Sequence, residues 1–221
     1  MRPIIICTLL LIASIPILSN AQSNELGLLP RFNINKKLEK DWSVNLQIES
    51  RNEVVEDGLA YDYVLTDASL LVAKKVTLHS TLAGGYLMRR EDGQMIHRAI
   101  QQVAVIQNIP SVTLAHRFST DQTFESEERN QVRLRYRLST QVPLNGQTLD
   151  PKEFFLKLSG EVLNEWQGSE YGLEMRAVAF LGYAFQAGSK LELGLDYRLD
   201  GVIANEARNR MWIGVNYYLS I

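Results

Sequence analysis

Residues 130–142, "NQVRLRYRLSTQV", alternate between charged or polar and apolar side chains with a period of two. Three arginines, Arg133, Arg135 and Arg137, share one parity. The other parity is apolar: Val132, Leu134, Tyr136 and Leu138. This period predicts a β-strand, because successive side chains of a strand point to opposite faces. A sheet that contains this strand must offer a nonpolar environment on one face and water or carboxylates on the other.

Alternating segments of this kind recur along the chain, and no segment has a convincing helical period. The eleven segments are residues 26–35, 42–53, 61–72, 76–90, 96–106, 112–124, 130–142, 152–164, 171–185, 191–199 and 210–221. Most are long enough for a tilted crossing of the hydrocarbon layer, whereas strands of soluble proteins centre on about 5 to 6 residues. The pattern predicts an all-β fold, an antiparallel transmembrane β-barrel of about 10–12 strands. Because single-chain bacterial barrels have even strand numbers, we expect one segment to be wrongly split or the first strand to be incomplete.

The connections and aromatic residues predict two different ends. Polar and acidic stretches at residues 54–58, 90–94, 125–130 and 200–210 predict longer extracellular loops, opposite short periplasmic turns. Residues 143–151 are long for the short-turn end. Aromatic residues form two expected interfacial girdles: Trp42, Tyr183, Phe185 and Tyr217 at the short-turn end, and Tyr61, Tyr63, Tyr86 and Tyr171 at the loop end. A secreted, soluble β-sandwich binding protein is the alternative, since its strands also alternate.

Residues 1–21 have the features of a secretory signal peptide. Arg2 precedes an apolar core at residues 4–18, and Ser19-Asn20-Ala21 is a small-residue cleavage site. A retained membrane anchor, the alternative, would need about 20 apolar residues. Residues 22–221 then form one barrel domain, which has no cysteine and therefore no disulfide or thiolate metal site. The net charge of −2 gives no reason to expect nucleic acid.

In a barrel, the alternation assigns charged side chains to the lumen. An arginine that faces lipid near the midplane costs about 2–4 kcal/mol, so the three arginines are expected inside. The same parity predicts this lumen-facing set: Glu49, Arg51, Arg133, Arg135, Arg137, Glu161, Glu174, Arg176, Glu192, Asp196 and Arg198. The mixed signs predict a salt-bridged structural interior, narrow or closed. The alternative is an arginine ladder that selects anions in a narrow, porin-like pore.

No catalytic, cofactor or metal site is predicted. A barrel-embedded lipid-modifying enzyme, the alternative class, needs a nucleophile beside a base. The histidines, His79, His97 and His116, lie in three separate segments without short ligand spacing, and none shares a strand face with a neighbouring serine. "ESEE" at residues 125–128 fits a solvated acidic loop better than a cation site against lipopolysaccharide. The chain is therefore expected to be a passive barrel or narrow channel whose partners are outer-membrane lipid and lipopolysaccharide.

Several motifs carry a family resemblance. They are "HRFSTDQTFESEERNQVRLRYRL" at 116–138, "KKLEKDWSVNLQIESR" at 36–51, "GGYLMRR" at 84–90, "LDYRLDG" at 195–201 and "IGVNYYL" at 213–219. In this order they resemble an uncharacterised outer-membrane β-barrel family, a domain of unknown function common in Bacteroidota. The resemblance implies location in the outer membrane of a Gram-negative cell and implies no substrate. The closing "WIGVNYYLSI" is also similar to the C-terminal signature that the barrel-insertion machinery recognises, which predicts that machinery as a partner.

Overall fold

The computed structural model describes residues 23–54, 61–109, 112–124, 130–186, 188–203 and 207–221. The predicted signal peptide, residues 1–21, lies outside these ranges. The described chain is all-β, as predicted. Its strands are β1 (Ser23–Lys37), β2 (Trp42–Val54), β3 (Tyr61–Lys75), β4 (Ser80–Glu91), β5 (Gln94–Ile109), β6 (Val112–Phe124), β7 (Gln131–Pro143), β8 (Phe154–Gln167), β9 (Glu170–Gln186), β10 (Ser189–Asp200) and β11 (Arg208–Ser220). In these ranges no helix has the length and apolarity to cross a membrane.

The strands form one closed barrel in chain order, with β11 returning to β1. Consecutive strands are antiparallel, whereas β1 and β11 are parallel from Ser23↔Arg208 to Asn35↔Ser220. The predicted barrel of about 10–12 strands is confirmed, with eleven strands and ten antiparallel contacts. The expectation of an even strand number was wrong, and the parallel contact of β1 with β11 departs from the predicted antiparallel pairing. The chain reverses direction at each connection, so the first and eleventh strands run the same way and must close in parallel. β1 is a full strand, and no segment was wrongly split.

The pairing register fixes the stagger of the barrel. A path that starts at Asn24 on β1 and follows the in-register pairs around the sheet arrives at Trp42 on β2. The carbonyl of Trp42 accepts a hydrogen bond from the amide of Leu38 at 2.8 Å, so the path re-enters β1 at Leu38. The circuit therefore returns to β1 fourteen residues beyond its start. For eleven strands this corresponds to a tilt of roughly 45°. A thirteen-residue strand such as β2 then rises about 30 Å, the thickness of a hydrocarbon layer.

The outer wall is apolar and exposed. It includes Val132, Leu134, Tyr136 and Leu138, the apolar residues that alternate with the arginines of β7. These four side chains point outward, as their parity predicts. Across the barrel, exposed outer-wall side chains include Ile48, Leu70, Leu82, Phe118, Leu181, Leu193, Leu195 and Ile213. Of the predicted girdle residues, Trp42, Tyr63, Tyr86, Tyr171 and Phe185 are exposed, and the side chain of Tyr61 lies outside the described part. The polar side chains of the alternation occupy the interior.

The two ends differ less in connection length than the sequence predicts. Residues 90–94, expected as a loop, form a two-residue turn at Asp92 and Gly93, with φ angles of 48° and 78°. Positive φ at both central positions matches the twist of a tight hairpin. β8 and β9 are also joined by two residues, whereas the opposite end carries the longer 144–153 connection.

β4 starts later than its alternation predicts. Residues 76–79 turn before Ser80 because Thr77 Oγ1 accepts hydrogen bonds from the amides of His79, at 3.2 Å, and Ser80, at 2.9 Å.

Aromatic rings pack over glycines in part of the interior. Phe155 is fully buried, and a Cβ at Gly182 on the neighbouring strand would lie 2.1 Å from its ring. Phe180 occupies the equivalent space at Gly214, where a Cβ would lie 2.6 Å from the ring. Glycine leaves room for rings inside curved barrel sheets. These rings narrow the interior along β8 to β11.

Leu195→Arg tests what the outer wall contacts. Leu195 is exposed near the middle of β10, between the outward residues Ala179 and Ile213. If lipid covers this wall, the arginine should destabilise the barrel by about 2–4 kcal/mol. In water the change should stay within about 0.5 kcal/mol. The measurement is a urea titration in lipid vesicles, followed by the gel mobility shift between unheated and heated samples, with Leu195→Met as the control. Equal stability of Leu195→Arg and the control would place this wall in water.

Candidate functional site

The barrel encloses a cavity of about 590 Å³. Its wall extends from Lys157 and Phe180, inside the barrel, to Glu170 and Arg208, which begin β9 and β11 at the loop end. The cavity therefore reaches the rim at the predicted loop end, where β9 and β11 begin. We take this cavity and its wall as the candidate site.

The cavity wall carries an excess of positive charge. Among the described residues, twelve arginines and one lysine line it, against eight carboxylates. Glu161, which contacts several of these arginines, raises the acidic count to nine and leaves the balance positive. The whole chain has a net charge of −2, so the excess is local. A concave site with one dominant charge sign attracts solutes of the opposite sign.

The structure places the charged residues of the predicted set inside the barrel. Nine line the cavity: Glu49, Arg51, Arg133, Arg135, Arg137, Glu174, Arg176, Asp196 and Arg198. Glu161 is buried against arginines of this wall, and Glu192 lies nearer the short-turn end, where it pairs with Lys157 at 2.9 Å. Whether these residues serve structure or selectivity stays a prediction.

Glu161 is the centre of the largest ion-pair network. It lies on β8, is 4% exposed and accepts a hydrogen bond from Arg135 Nη2 at 2.6 Å. Arg137 Nε also donates to it. Arg176 Nη1 and Arg117 Nη2 approach its oxygens at 3.6 and 3.9 Å. One carboxylate thus connects four strands, β6 to β9, through charge-assisted contacts.

A second network joins β1 to β4. Glu49 accepts hydrogen bonds from Arg31 Nε at 2.8 Å and from Arg51 Nη2 at 3.1 Å. Asp67 accepts two from Arg89, both at 2.8 Å, and lies 3.9 Å from Arg51. Since acids and bases alternate across neighbouring strands, each carboxylate is held between arginines. Such a bidentate Arg–carboxylate pair constrains both side chains.

Ion pairs within single strands, and one between neighbouring strands, complete the charged wall on β9 to β11. Glu174 accepts from Arg176 Nε at 2.7 Å, and Asp196 accepts from Arg198 Nε at 2.9 Å. Residues two apart in a strand share a face, which allows these contacts. Asp200 pairs across the sheet with Arg210.

Sequence reasoning missed further interior charges. They are Arg31, Asp67, Arg89, Arg98, Arg117, Asp121, Lys157 and Arg210. The same parity rule could have found them, since Arg31 adjoins the outward Phe32. On β5 and β6 the signal is weak because outward positions are polar. There Gln101 Nε2 donates to Gln122 Oε1 at 3.0 Å.

The histidines lie away from the cavity wall. His116 is on the outer wall, where its ring nitrogens lie 2.9 Å from Tyr136 Oη and 3.1 Å from Gln107 Oε1. His97 lies beside the ring of Tyr86, and His79 is in the 76–79 turn. The described residues contain no group of three His, Cys, Asp or Glu side chains suited to a metal ion.

An apolar outer wall around a charged interior cavity defines a closed β-barrel with a polar lumen. Residues 27–209 match a family described as "Protein of unknown function (DUF2490)", and the chain belongs to that family. The predicted membership of an uncharacterised family is therefore confirmed. Neither the curated proteins nor the solved structures contain a match.

Proposed function

We propose that this protein is a passive outer-membrane β-barrel with a narrow polar interior reached from the loop end. The observation that carries this proposal is the inverted distribution of side chains. Large apolar residues are exposed around the outer wall, while twelve charged or polar residues of the described chain are buried inside. In water, an exposed apolar surface of this extent would favour aggregation. In lipid it is the expected outer surface of a barrel, whose closed sheet leaves no unpaired edge.

The strand geometry supports the same proposal. At a tilt of roughly 45°, the strands are still long enough to cross a hydrocarbon layer. Exposed aromatic residues near both ends of the barrel suit the membrane interfaces. The predicted signal peptide at residues 1–21 supports export. Outer-membrane lipid and lipopolysaccharide are then the proposed surroundings, and the barrel-insertion machinery is the proposed partner of β11.

The ion-pair networks support a narrow lumen. About eight strands make a barrel that side chains just fill, and sixteen or more leave a wide channel. Eleven strands lie between these limits, and cross-linked arginines and carboxylates occupy much of the resulting space. A structural barrel or a narrow conduit fits this interior better than a wide pore.

A lipid-modifying enzyme is the alternative from another class. It would need a nucleophile and a base in hydrogen-bond contact. The contacts of His116 with Tyr136 and Gln107 favour a structural role for that histidine. The other alternative, a secreted soluble β-sandwich, has two separate sheets, and the single closed sheet does not have that architecture.

Membrane fractionation tests the proposed location. The protein should sediment with outer membranes and stay there after washing with high salt or alkaline carbonate, because strands rather than surface charges hold it. A peripheral protein with known release by carbonate is the control. Recovery of the folded protein in the soluble periplasmic fraction would refute the proposal.

Planar-bilayer recordings of the purified protein test the proposed lumen. We expect either no conductance or small steps with anion preference, because the cavity wall is cationic. Large, weakly selective steps like those of a wide channel would show that the charged networks do not fill the interior.

A further inference from the structure

Arg117 and Arg137 form the most accessible pair of cations in the Glu161 network. They are directly opposite each other on β6 and β7, and both line the cavity. Their side chains are 34% and 27% exposed, compared with 21% for Arg135 and 13% for Arg176. Both guanidinium groups are therefore in reach of a solute in the cavity.

In the part of the chain that the structure describes, Arg117 and Arg137 lack the second carboxylate partner that Arg135 and Arg176 have. Arg135 has a second carboxylate, Asp121, at 3.1 Å, and Arg176 has Glu174 at 2.7 Å. Within the described residues, Arg117 and Arg137 each pair with Glu161 alone, which they share with the other two arginines. Like charges directly opposite on neighbouring strands repel each other. An additional anion between them would remove this repulsion.

Unused donors of both guanidinium groups are available at this place. In the described part of the chain, Arg117 makes no hydrogen bond, and Arg137 uses only its Nε, toward Glu161. The Nη groups of Arg137 and the whole guanidinium of Arg117 can therefore donate into the cavity. Ser119 follows Arg117 on the same face of β6, and its cross-strand partner Gln102 lines the cavity too. A hydroxyl and an amide add neutral donors beside the two cations.

We propose that Arg117 and Arg137 bind an oxyanion, the phosphate or carboxylate group of a small solute that enters from the loop end. The planar donors of arginine match the paired oxygens of both groups. A cavity of about 590 Å³ is within the size range of small-molecule sites, so the rest of the solute can extend toward the rim. The inference rests on the proposed function in one respect: it uses the interior as a compartment for solutes.

Arg98 shows why exposure decides the choice of site. It also lines the cavity and has no carboxylate within ion-pair distance among the described residues. However, it is 5% exposed, and its Nε donates to Thr123 Oγ1 at 2.9 Å. A solute would have to displace protein atoms to reach it. Arg117 needs no such rearrangement.

Calorimetric titration of the full, folded protein in detergent micelles tests the site. Inorganic phosphate, acetate and sodium chloride are added in separate titrations at constant ionic strength. We expect saturable binding of phosphate, acetate or both, and none with chloride. The arm that saturates identifies which oxyanion the site takes. Arg117→Gln should weaken binding by about tenfold or more, the effect of losing a charged hydrogen-bond donor.

Arg90→Gln is the matched control, because Arg90 is exposed on the outer wall and the charge change is the same. It should bind like the parent. Arg117→Lys, which keeps the charge without the planar donor group, should also bind more weakly than the parent and covers the case in which Arg117→Gln does not fold. Equal binding by the parent and a folded Arg117 variant, or no difference between oxyanions and chloride, would refute the site. Fractionation reports the membrane location independently, so failure of one proposal is distinguishable from failure of the other.

Discussion

Replacing Glu161 by glutamine is expected to cause the largest loss of stability of any single charge-removing substitution in the interior. The Glu161 side chain is 3% exposed and contacts four arginines. Glutamine keeps the shape and one acceptor oxygen but removes the negative charge. Removing one partner of a buried ion pair typically costs about 3–5 kcal/mol, because the other charge is left without compensation. Folded proteins are stable by only about 5–15 kcal/mol, so this variant should fold poorly.

Glu165→Gln provides the matched control for Glu161→Gln. It makes the same chemical change on the same strand, but its side chain is 33% exposed and its ion pair with Arg133 is long, at 3.7 Å. The Glu165 carboxylate is partly exposed and its ion pair is long, so its loss should cost less than the loss at Glu161, although Arg133 itself is buried. Urea titrations in lipid vesicles, followed by the heat-dependent gel shift, compare the two variants. Equal stability of Glu161→Gln and Glu165→Gln would show that water screens the network and that its structural role is small.

A double variant separates the effect of charge imbalance from the loss of the hydrogen bonds of Glu161. Arg117 is the most exposed of the four arginines around Glu161. If repulsion among uncompensated arginines destabilises Glu161→Gln, adding Arg117→Gln should restore part of the lost stability. A purely additive result would attribute the loss to the hydrogen bonds of Glu161 instead.

Deleting Tyr217–Ile221 is expected to block assembly of the barrel. These residues pair with β1 on one side and β10 on the other, as Tyr217 does with Phe32 and Leu191. The amide of Ile221 also donates to Asn35 O at 2.9 Å. Without them, both neighbouring strands have unpaired backbone groups, each of which costs several kcal/mol in lipid. The truncated chain also loses the segment that is similar to an insertion signature.

Carbonate extraction and limited proteolysis of cell envelopes measure this effect. The truncated chain should be extractable and digested, whereas the parent should stay in the membrane and resist digestion. As a control, residues 145–149 are replaced by glycine and serine, which changes the same number of residues in the 144–153 connection outside the strands. That variant should assemble. Normal assembly of the truncated chain would show that the end of β11 contributes neither to closure nor to insertion.

The side-chain alternation predicted the walls of the barrel well. It placed Arg133, Arg135 and Arg137 on the inner face and their apolar neighbours on the outer face, because a strand points successive side chains to opposite sides. It was least informative on β5 and β6, where Gln101 and Gln122 are polar on the outer wall. It also failed at Glu91, which looks like a loop residue but ends β4.

The sequence did not predict how the barrel closes or which ion pairs form, and only the tertiary structure shows both. Eleven strands could be counted from the sequence, yet the parallel contact of β1 with β11 joins residues almost two hundred positions apart. Local patterns carry no signal for such a contact. In the same way, the sequence placed Glu161 inside without showing that four arginines surround it.

The sequence by itself thus determined which face of each strand is charged, since this depends only on the local geometry of the backbone. The tertiary structure alone decided which charges meet. A shift of β6 against β7 by two residues would keep every side chain on its face and still separate Arg117 from Arg137. The register follows from closing all eleven strands together with a stagger of fourteen residues. The unbalanced pair in the cavity is therefore a property of the closed barrel and of no single segment.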